Sequence, residues 1–245
     1  GIGAEHGPFD VSLMAVGAPH PARRGIPLDP EEARRAPPEL DGGPERVARL
    51  VARGVVVSAG LAAATAEQVA AAVDAGARHL THCWNAHRRF APRDPGPAGA
   101  ALVDGRVTVG LIPDLVHVAP QVVRLTLAAA PGRVAATTDA IPPAGTALDR
   151  WQEHGREVTV RDGAARLDDG TLAGSVATPD LLLRNLVGLG VPLTEAVQAC
   201  GGAARGLLGL PANRLRPGDP ADVAVLDDGL EVLATFVGGR RVWPA

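Results

Sequence analysis

Hydrophobic residues in this chain follow two alternating patterns. Short β-branched and apolar runs, typical of buried strands, occur at 55–58, 107–112 and 134–138. Apolar residues at helical spacing occur at 45–53, 65–75 and 120–130. The second helical segment begins with Thr65 and has Gln68 three residues later, which is the spacing of a capping box. Strand and helix in regular succession predict parallel β/α units, so we expect a TIM-type (β/α) barrel.

The pattern changes after Asp139. Residues 157–167 predict a β-hairpin that turns at Asp162-Gly163. Two helical segments follow at 179–189 and 193–208, and three short strands separated by Asp/Gly turns follow at 222–226, 231–237 and 241–243. We therefore predict a barrel domain over 1–210 and C-terminal strands of a small β-sandwich domain over 211–245.

Composition narrows the class of protein. The 245 residues are 46% hydrophobic and carry a formal net charge of -3, without a basic run, which disfavours nucleic acid and membrane surfaces as partners. No apolar run reaches the length of a membrane span, and residues 1–25 do not have the pattern of a signal peptide. Cys83 and Cys200 are too few for a disulfide framework. We expect a cytoplasmic protein.

Polar residues follow the predicted strands at four places: Glu5 and His6, His82 and Asn85, Asp114 to His117, and Asp139. Side chains at the carboxyl ends of barrel strands line the mouth of the barrel. Imidazoles and carboxylates collected there suit hydrolysis by a metal-bound water, with an Asp acting as general base and then as general acid.

A series of motifs in these segments resembles one family. In chain order they are Thr81-His82-Cys83-Trp84-Asn85-Ala86, Arg93-Asp94-Pro95-Gly96, Leu111 to Val118, Thr138-Asp139-Ala140, Leu172-Ala173-Gly174-Ser175 and Pro217 to Asp222. Together they resemble N-acetylglucosamine-6-phosphate deacetylase of the amidohydrolase superfamily. The closing motif alone indicates only an amidohydrolase, whereas the Thr-His-x-x-Asn-Ala unit with Arg93 eight residues after Asn85 is far more specific.

The resemblance implies a site and a reaction. His82 would be a metal ligand and Asp139 the catalytic acid/base in removing acetate from N-acetylglucosamine 6-phosphate. The residues that would contact the substrate are Asn85, the backbone of Ala86, Arg93, His117 and His20. A sugar phosphate is an oxyanion that suits the guanidinium of Arg93. A divalent cation is implied, with zinc first and iron, manganese or cobalt as alternatives.

Two departures from the family affect the metal site. The family carries a Glu ligand directly before Gly-Pro-Phe, whereas here His6 precedes Gly7-Pro8-Phe9 and Glu5 lies one residue further back. Either could coordinate the cation, but neighbouring strand residues face opposite ways, so the choice stays open. The family's Gly-His-Ser/Thr unit appears here with Leu61 in place of histidine. Leucine cannot coordinate a cation, so we expect low metal occupancy unless His6 and Glu5 jointly, or a water molecule, fill the position.

The third departure is in length. The chain aligns from the family's third barrel strand onward, so we expect an incomplete barrel and a small β domain without its N-terminal strands. Exposed strand edges at both places would favour pairing with another chain, and a homodimer is one such arrangement.

Three functional readings remain. The first is a metal-dependent deacetylase, and the second is an impaired homologue that only binds sugar phosphate. The third is another amidohydrolase, such as a deaminase or cyclic amidase. Arg93 and Asn85 argue against the third, because a substrate without phosphate gives no reason for that pair.

Overall fold

The computed structural model describes residues 42–60, 63–153, 155–212 and 214–244. They belong to two compact units divided between Gly110 and Leu111. The positions outside these ranges that matter to the predicted site are Glu5, His6, His20 and Leu61.

Helices and strands alternate in the first unit. In chain order they are α1 (Gly43–Ala52), β1 (Ser58–Ala59), α2 (Ala66–Asp74), β2 (His79–Leu80), α3 (Gly96–Val103) and β3 (Thr108–Leu111), whose last residue is the first of the second unit. β1 pairs in parallel with β2, through Ser58 opposite His79, and β2 pairs in parallel with β3, through His79 opposite Thr108. The predicted parallel β/α arrangement is confirmed for these strands.

The ends of the helices explain why β1 is shorter than the apolar run at 55–58. Gly54, with a φ of 78°, closes α1. Its left-handed backbone lets the Val55 amide donate to the Leu50 carbonyl at 3.1 Å. Val55 therefore completes the helix end before the strand begins. At the start of α2 the capping box is present, with the Gln68 amide donating to Thr65 Oγ1 and the Thr65 amide donating to Gln68 Oε1.

A cluster of small aliphatic side chains holds α1 and α2 together. Val47, Leu50 and Val57 pack with Ala72 and Ala77, and none of the five is more than 3% exposed. Burial of each valine or leucine contributes about 1.5–3 kcal/mol. The cluster therefore fixes the chain segments that lead into β1 and β2.

The second unit continues from Leu111 with α4 (Pro120–Ala129) and β4 (Val134–Ala136). The Thr137 amide donates to the Leu111 carbonyl at 2.8 Å. An antiparallel sheet in the order β5-β6-β7-β8 follows, formed by Arg150–Glu153, Arg156–Arg161, Ala164–Leu167 and Leu172–Ser175. The predicted turn at Asp162-Gly163 is confirmed, and both residues have positive φ, as a two-residue hairpin turn requires.

The outer strands β5 and β8 were not predicted as strands. The segment 150–153 has three polar side chains, and the segment 172–175 contains three small residues, so neither shows an alternating pattern of apolar and polar residues. They become strands because the β6–β7 hairpin offers unpaired edges on both sides.

The remaining elements are α5 (Pro179–Gly188), α6 (Leu193–Val197), a π-helical turn (Gln198–Gly202), α7 (Ala203–Leu207), and the antiparallel strands β9 (Val223–Leu226), β10 (Val232–Val237) and β11 (Arg240–Trp243). The predicted helix over 193–208 is therefore interrupted by a π turn. At its end Gly202 lies against the Gln198 side chain, which would have to move if residue 202 had a β-carbon. The three C-terminal strands are confirmed.

The described strands and helices agree with an α/β fold. Closure into a barrel and the domain division near residue 211 stay predictions. None of the described helices is long and apolar enough to cross a membrane.

Candidate active site

His82 lies two residues beyond β2 and is held by a tight turn. The Asn85 amide donates to the His82 carbonyl at 2.8 Å, and His82 Nδ1 lies 3.0 Å from the Asn85 carbonyl oxygen. The residue is only 9% exposed. A histidine whose Nδ1 donates to a backbone carbonyl presents Nε2 with its lone pair, which is the usual arrangement of a metal-ligating histidine. His82 therefore fits the role of a ligand through Nε2.

Three of the predicted site residues have strained backbones. His82, Ala86 and Asp139 have φ values of 27°, 54° and 51°. Positive φ is uncommon for residues with a β-carbon, and such residues persist where the surrounding structure holds them, often at functional sites. The backbone strain therefore indicates that the surrounding structure restricts the side-chain positions in the segments after β2 and β4.

A buried polar network lies beneath His82. Ser58 is fully buried, and its Oγ lies 2.7 Å from His79 Nδ1 and 2.7 Å from Thr81 Oγ1. Burial first, and the neighbouring His82 second, lower the pKa of His79 to about 4. No sequence pattern indicated this network, because Ser58 and His79 are 21 residues apart and meet only through the pairing of β1 with β2.

Gly110 on β3 provides the space for this network. A β-carbon at position 110 would lie 2.8 Å from the Leu80 carbonyl oxygen, 2.9 Å from His79 Nε2 and 3.0 Å from the His82 amide. Cys83 also donates its amide to the Gly110 carbonyl at 2.8 Å. The close approach of β3 to the turn at His82 therefore depends on glycine.

His87 is the third imidazole of this segment. Its Nε2 lies 2.7 Å from the Thr81 carbonyl oxygen, and its ring centre lies 5.6 Å from that of His82 at a tilt of 50°. Burial lowers the pKa of His87 to about 4, and the His82 charge acts in the same direction, whereas the bond to Thr81 opposes them. His87 is therefore neutral near pH 7.

Arg93 lies in the turn before α3. Its side chain is exposed and forms no ion pair with any residue in the described ranges, whereas its neighbour Asp94 pairs with Arg88 at 2.6 Å. Backbone bonds between Ala91 and Asp94 close the turn around Arg93. This leaves the guanidinium of Arg93 accessible to an anion.

Asp114 organises the loop after β3 in the second unit. Its buried carboxylate accepts hydrogen bonds from the Val116 and His117 amides, from Ser175 Oγ at 3.0 Å and from His117 Nδ1 at 2.6 Å. Burial by itself raises the pKa of Asp114, but the bonds from His117 and Val116 outweigh it and hold the pKa below its ordinary value of 3.8. The carboxylate therefore fixes the orientation of the His117 ring.

Asp139 follows β4 and has an exposed side chain. Its carbonyl accepts a hydrogen bond from the Ser175 amide at 2.8 Å, and the Ser175 carbonyl accepts one from Ile141 at 2.9 Å. Ser175 thus touches both Asp114 and the backbone of Asp139. Sequence reasoning placed Ser175 in a family motif but assigned it no role.

The structure places His82, Asn85, Ala86 and Arg93 along one segment of the first unit. His117 and Asp139 lie in the second unit, where both are linked to Ser175. Among the residues that the structure describes, no group of three or more His, Cys, Asp or Glu side chains is arranged to hold a metal ion. The other predicted ligands, Glu5 and His6, lie outside those residues.

Comparison with known proteins identifies the family. No protein-family model matches the chain. The chain is 36% identical over 162 residues to a protein of Escherichia coli K12 described as a putative N-acetylgalactosamine-6-phosphate deacetylase, covering 97% of that protein and 65% of this chain. The chain belongs to the N-acetylglucosamine-6-phosphate deacetylase family.

Longer members of this deacetylase family match a larger part of the chain. The human N-acetylglucosamine-6-phosphate deacetylase is 37% identical over 229 residues, which are 89% of this chain and 56% of the human protein. The N-acetylgalactosamine-6-phosphate deacetylase of Escherichia coli O157:H7 is 37% identical over 83% of this chain and 55% of its own length. The chain thus spans about half the length of these relatives.

Solved structures of deacetylases agree with the fold. The Mycobacterium smegmatis D267A mutant, in complex with N-acetyl-D-glucosamine-6-phosphate, matches with a TM-score of 0.78 and 38% identity over 84% of this chain and 56% of that chain. The Thermotoga maritima enzyme matches with a TM-score of 0.79 and 32% identity over 84% of this chain and 57% of that chain. The α/β class expected from the alternation of strands and helices is confirmed.

We predict that Gly110→Ala destabilises this deacetylase homologue by about 1–3 kcal/mol, since the added methyl group meets two backbone atoms that cannot move aside. Urea unfolding followed by circular dichroism measures the effect. Gly105→Ala is the matched control, because a β-carbon there meets nothing within 4 Å. Equal stability of the two variants would contradict the close approach at Gly110.

We also predict that Asp114→Asn lowers the free energy of unfolding at neutral pH by about 2 kcal/mol, because an amide cannot satisfy all four donors around this position. The pKa of Asp114 is lowered in the folded state, so its contribution is complete above pH 3.8 and is lost as the pH falls through the folded-state pKa. The stability difference between wild type and variant should therefore shrink in acid.

Urea titrations at neutral pH and below pH 3.8 test this dependence on Asp114. Asp228→Asn, at an exposed position, is the control and should change stability by less than about 0.5 kcal/mol at either pH. A difference for Asp114→Asn that does not change with pH would show that the charge of this carboxylate is unimportant.

Proposed function

We propose that this chain hydrolyses the N-acetyl group of N-acetylglucosamine 6-phosphate to glucosamine 6-phosphate and acetate, with weak metal binding and low turnover. Family membership supports the reaction. The observation that carries the proposal is the geometry of His82, whose ring is fixed through Nδ1 so that Nε2 is presented as a ligand. The strained backbone at His82 and Asp139 agrees with a functional role for both.

The proposed metal site contains His82 together with Glu5 or His6. Zinc is the first choice, and iron, manganese or cobalt would also accept a mixed nitrogen and carboxylate site. A bound divalent cation would lower the pKa of a water molecule and so supply the nucleophile at neutral pH. Leu61 provides no ligand atom, which is the reason for the expected low occupancy.

Asp139 is the proposed acid/base. An exposed carboxylate beyond β4 can take a proton from the attacking water and deliver it to the departing amine. Its backbone is tied to β8 through Ser175, which limits movement of the loop. The carboxylate can therefore return to the same position for both proton transfers.

The proposed substrate contacts are of two kinds, those to the phosphate and those to the sugar. Arg93, with Asn85 and the backbone amide of Ala86, would hold the phosphate. His117 and His20 would contact the sugar, and the Asp114 carboxylate orients the His117 ring for that contact. A guanidinium that makes no ion pair with described residues suits a dianionic ligand better than a neutral one.

A second substrate has a specific observation in its favour. Two relatives from Escherichia coli are described as N-acetylgalactosamine-6-phosphate deacetylases, one of them putative. This sugar differs from N-acetylglucosamine in the configuration of one hydroxyl group, and the phosphate and amide would use the same residues. Parallel assays with both sugar phosphates decide between them.

The remaining proposals concern the cellular compartment, the oligomeric state and the behaviour of the chain without a bound metal. The free Cys83 and Cys200 suit a reducing compartment such as the cytoplasm. The homodimer expected from the sequence also stays a proposal. If the metal site fails, the protein would still bind sugar phosphate without hydrolysing it.

We predict that Arg93→Ala weakens binding of N-acetylglucosamine 6-phosphate roughly 30-fold, or about 2 kcal/mol, since a charge-assisted contact to phosphate is lost. Unphosphorylated N-acetylglucosamine should bind both proteins equally. Isothermal titration calorimetry measures both ligands, and Arg89→Ala is the control for loss of a nearby exposed charge. An equal loss for the two ligands would remove Arg93 from the phosphate role.

We predict that Leu61→His raises metal occupancy and deacetylation, because it supplies an imidazole where the family has one. Metal content by mass spectrometry and acetate release from N-acetylglucosamine 6-phosphate are the measurements, and Leu61→Gln is the control. Full occupancy and fast turnover in the unmodified chain would show that the ligand set is wrong. A folded Leu61→His protein without activity would contradict the proposed catalysis and leave the binding role.

A further inference from the structure

Two imidazole rings lie side by side beyond β2. The ring centres of His82 and His87 are 5.6 Å apart, and the ring planes are tilted by 50°. Two imidazoles on one tetrahedral zinc ion, with Zn–N bonds near 2.1 Å, place their ring centres about 5 Å apart. The observed separation of the ring centres therefore lies within about half an ångström of the separation expected for two imidazoles on one cation.

Each of these rings is oriented through one nitrogen by a backbone carbonyl. His82 Nδ1 lies 3.0 Å from the Asn85 oxygen, and His87 Nε2 lies 2.7 Å from the Thr81 oxygen. A neutral imidazole that donates through one nitrogen carries its lone pair on the other. The atoms with lone pairs are then Nε2 of His82 and Nδ1 of His87, which is the arrangement that carbonyl partners create around metal-ligating histidines.

His79, the other histidine of this segment, has a different environment. Its Nδ1 lies 2.7 Å from Ser58 Oγ, and its Nε2 lies only 2.9 Å from where a β-carbon of Gly110 would stand. The ring is therefore packed between β1 and the backbone of β3. This position suits a structural role and singles out His87 as the neighbour of His82 that can coordinate.

We propose that His87 is a second imidazole ligand, beside His82, for the divalent cation of this chain. The inference rests on the metal-dependent function proposed above. His87 lies five residues after His82 in the same segment. It would contribute the imidazole that Leu61 does not supply. The site would use one Nε2 and one Nδ1 atom.

Zinc titration of the full chain tests the proposal. Affinity for Zn²⁺ alone is measured by competition with a chromophoric chelator for wild type, His82→Gln, His87→Gln and the control Arg89→Gln. We expect both histidine variants to weaken binding roughly tenfold or more, and the arginine variant to bind as wild type does. Glutamine at position 87 keeps an amide donor for the Thr81 carbonyl, and circular dichroism checks the fold.

Failure of this inference and failure of the proposed function give different results. If His87→Gln binds Zn²⁺ as tightly as wild type while His82→Gln does not, His87 is not a ligand and the metal site at His82 stands. If the folded wild-type chain does not bind Zn²⁺, both proposals fail.

A measurement on the unmutated chain avoids any effect of substitution on folding. With ¹¹³Cd²⁺ as the probe and ¹⁵N-labelled histidine, we expect scalar coupling from one cadmium ion to His82 Nε2 and to His87 Nδ1. Coupling to His82 without coupling to His87 would overturn the proposal.

Discussion

The arrangement of the candidate site in the first unit depends on the close approach of β3 to the end of β2. Position 110 has no room for a β-carbon, because the Leu80 carbonyl, the His79 ring and the His82 amide all lie within 3.0 Å of where it would stand. This approach lets Cys83 donate to the Gly110 carbonyl and sets the start of the turn that contains His82. The position of the candidate ligand is thus fixed by backbone contacts, which are less adaptable than contacts between side chains.

In the second unit the buried carboxylate of Asp114 has a comparable positioning role. One buried carboxylate accepts bonds from two amides of its own loop, from the His117 ring and from Ser175 on β8. Because Ser175 also bonds to the backbone around Asp139, the loops after β3 and β4 share one anchor. A buried charge is stable only when it is satisfied in this way, so the four hydrogen bonds offset the cost of burying the Asp114 carboxylate. The same bonds order His117 and, through Ser175, the backbone at Asp139.

The histidines of the first unit owe their chemistry to burial. Burial holds the pKa values of His79 and His87 near 4, so both rings are neutral at pH 7, but their environments differ. His79 is bonded to a buried hydroxyl beneath the strand ends, whereas His87 is bonded to a backbone carbonyl beside His82. Two similar residues in one nine-residue segment therefore take different roles, one in packing and one suited to coordination.

The sequence by itself determined the alternation of strands and helices, the capping box at Thr65 and the hairpin turn at Asp162-Gly163. These features depend on local periodicity and on backbone preferences that act within a few residues. The motifs around His82 and Asp139 were also sufficient to recognise the deacetylase family, which the comparisons confirmed.

Only the tertiary structure decided which partners these residues have. Ser58 meets His79 through strand pairing, Ser175 meets Asp114 across 61 residues, and Gly110 makes room for both His79 and His82. The edge strands β5 and β8 likewise form because a neighbouring hairpin offers hydrogen-bonding groups, since their own side chains do not alternate. Contacts between distant segments leave no periodic signal in the sequence, because each depends on how two separately formed elements come together.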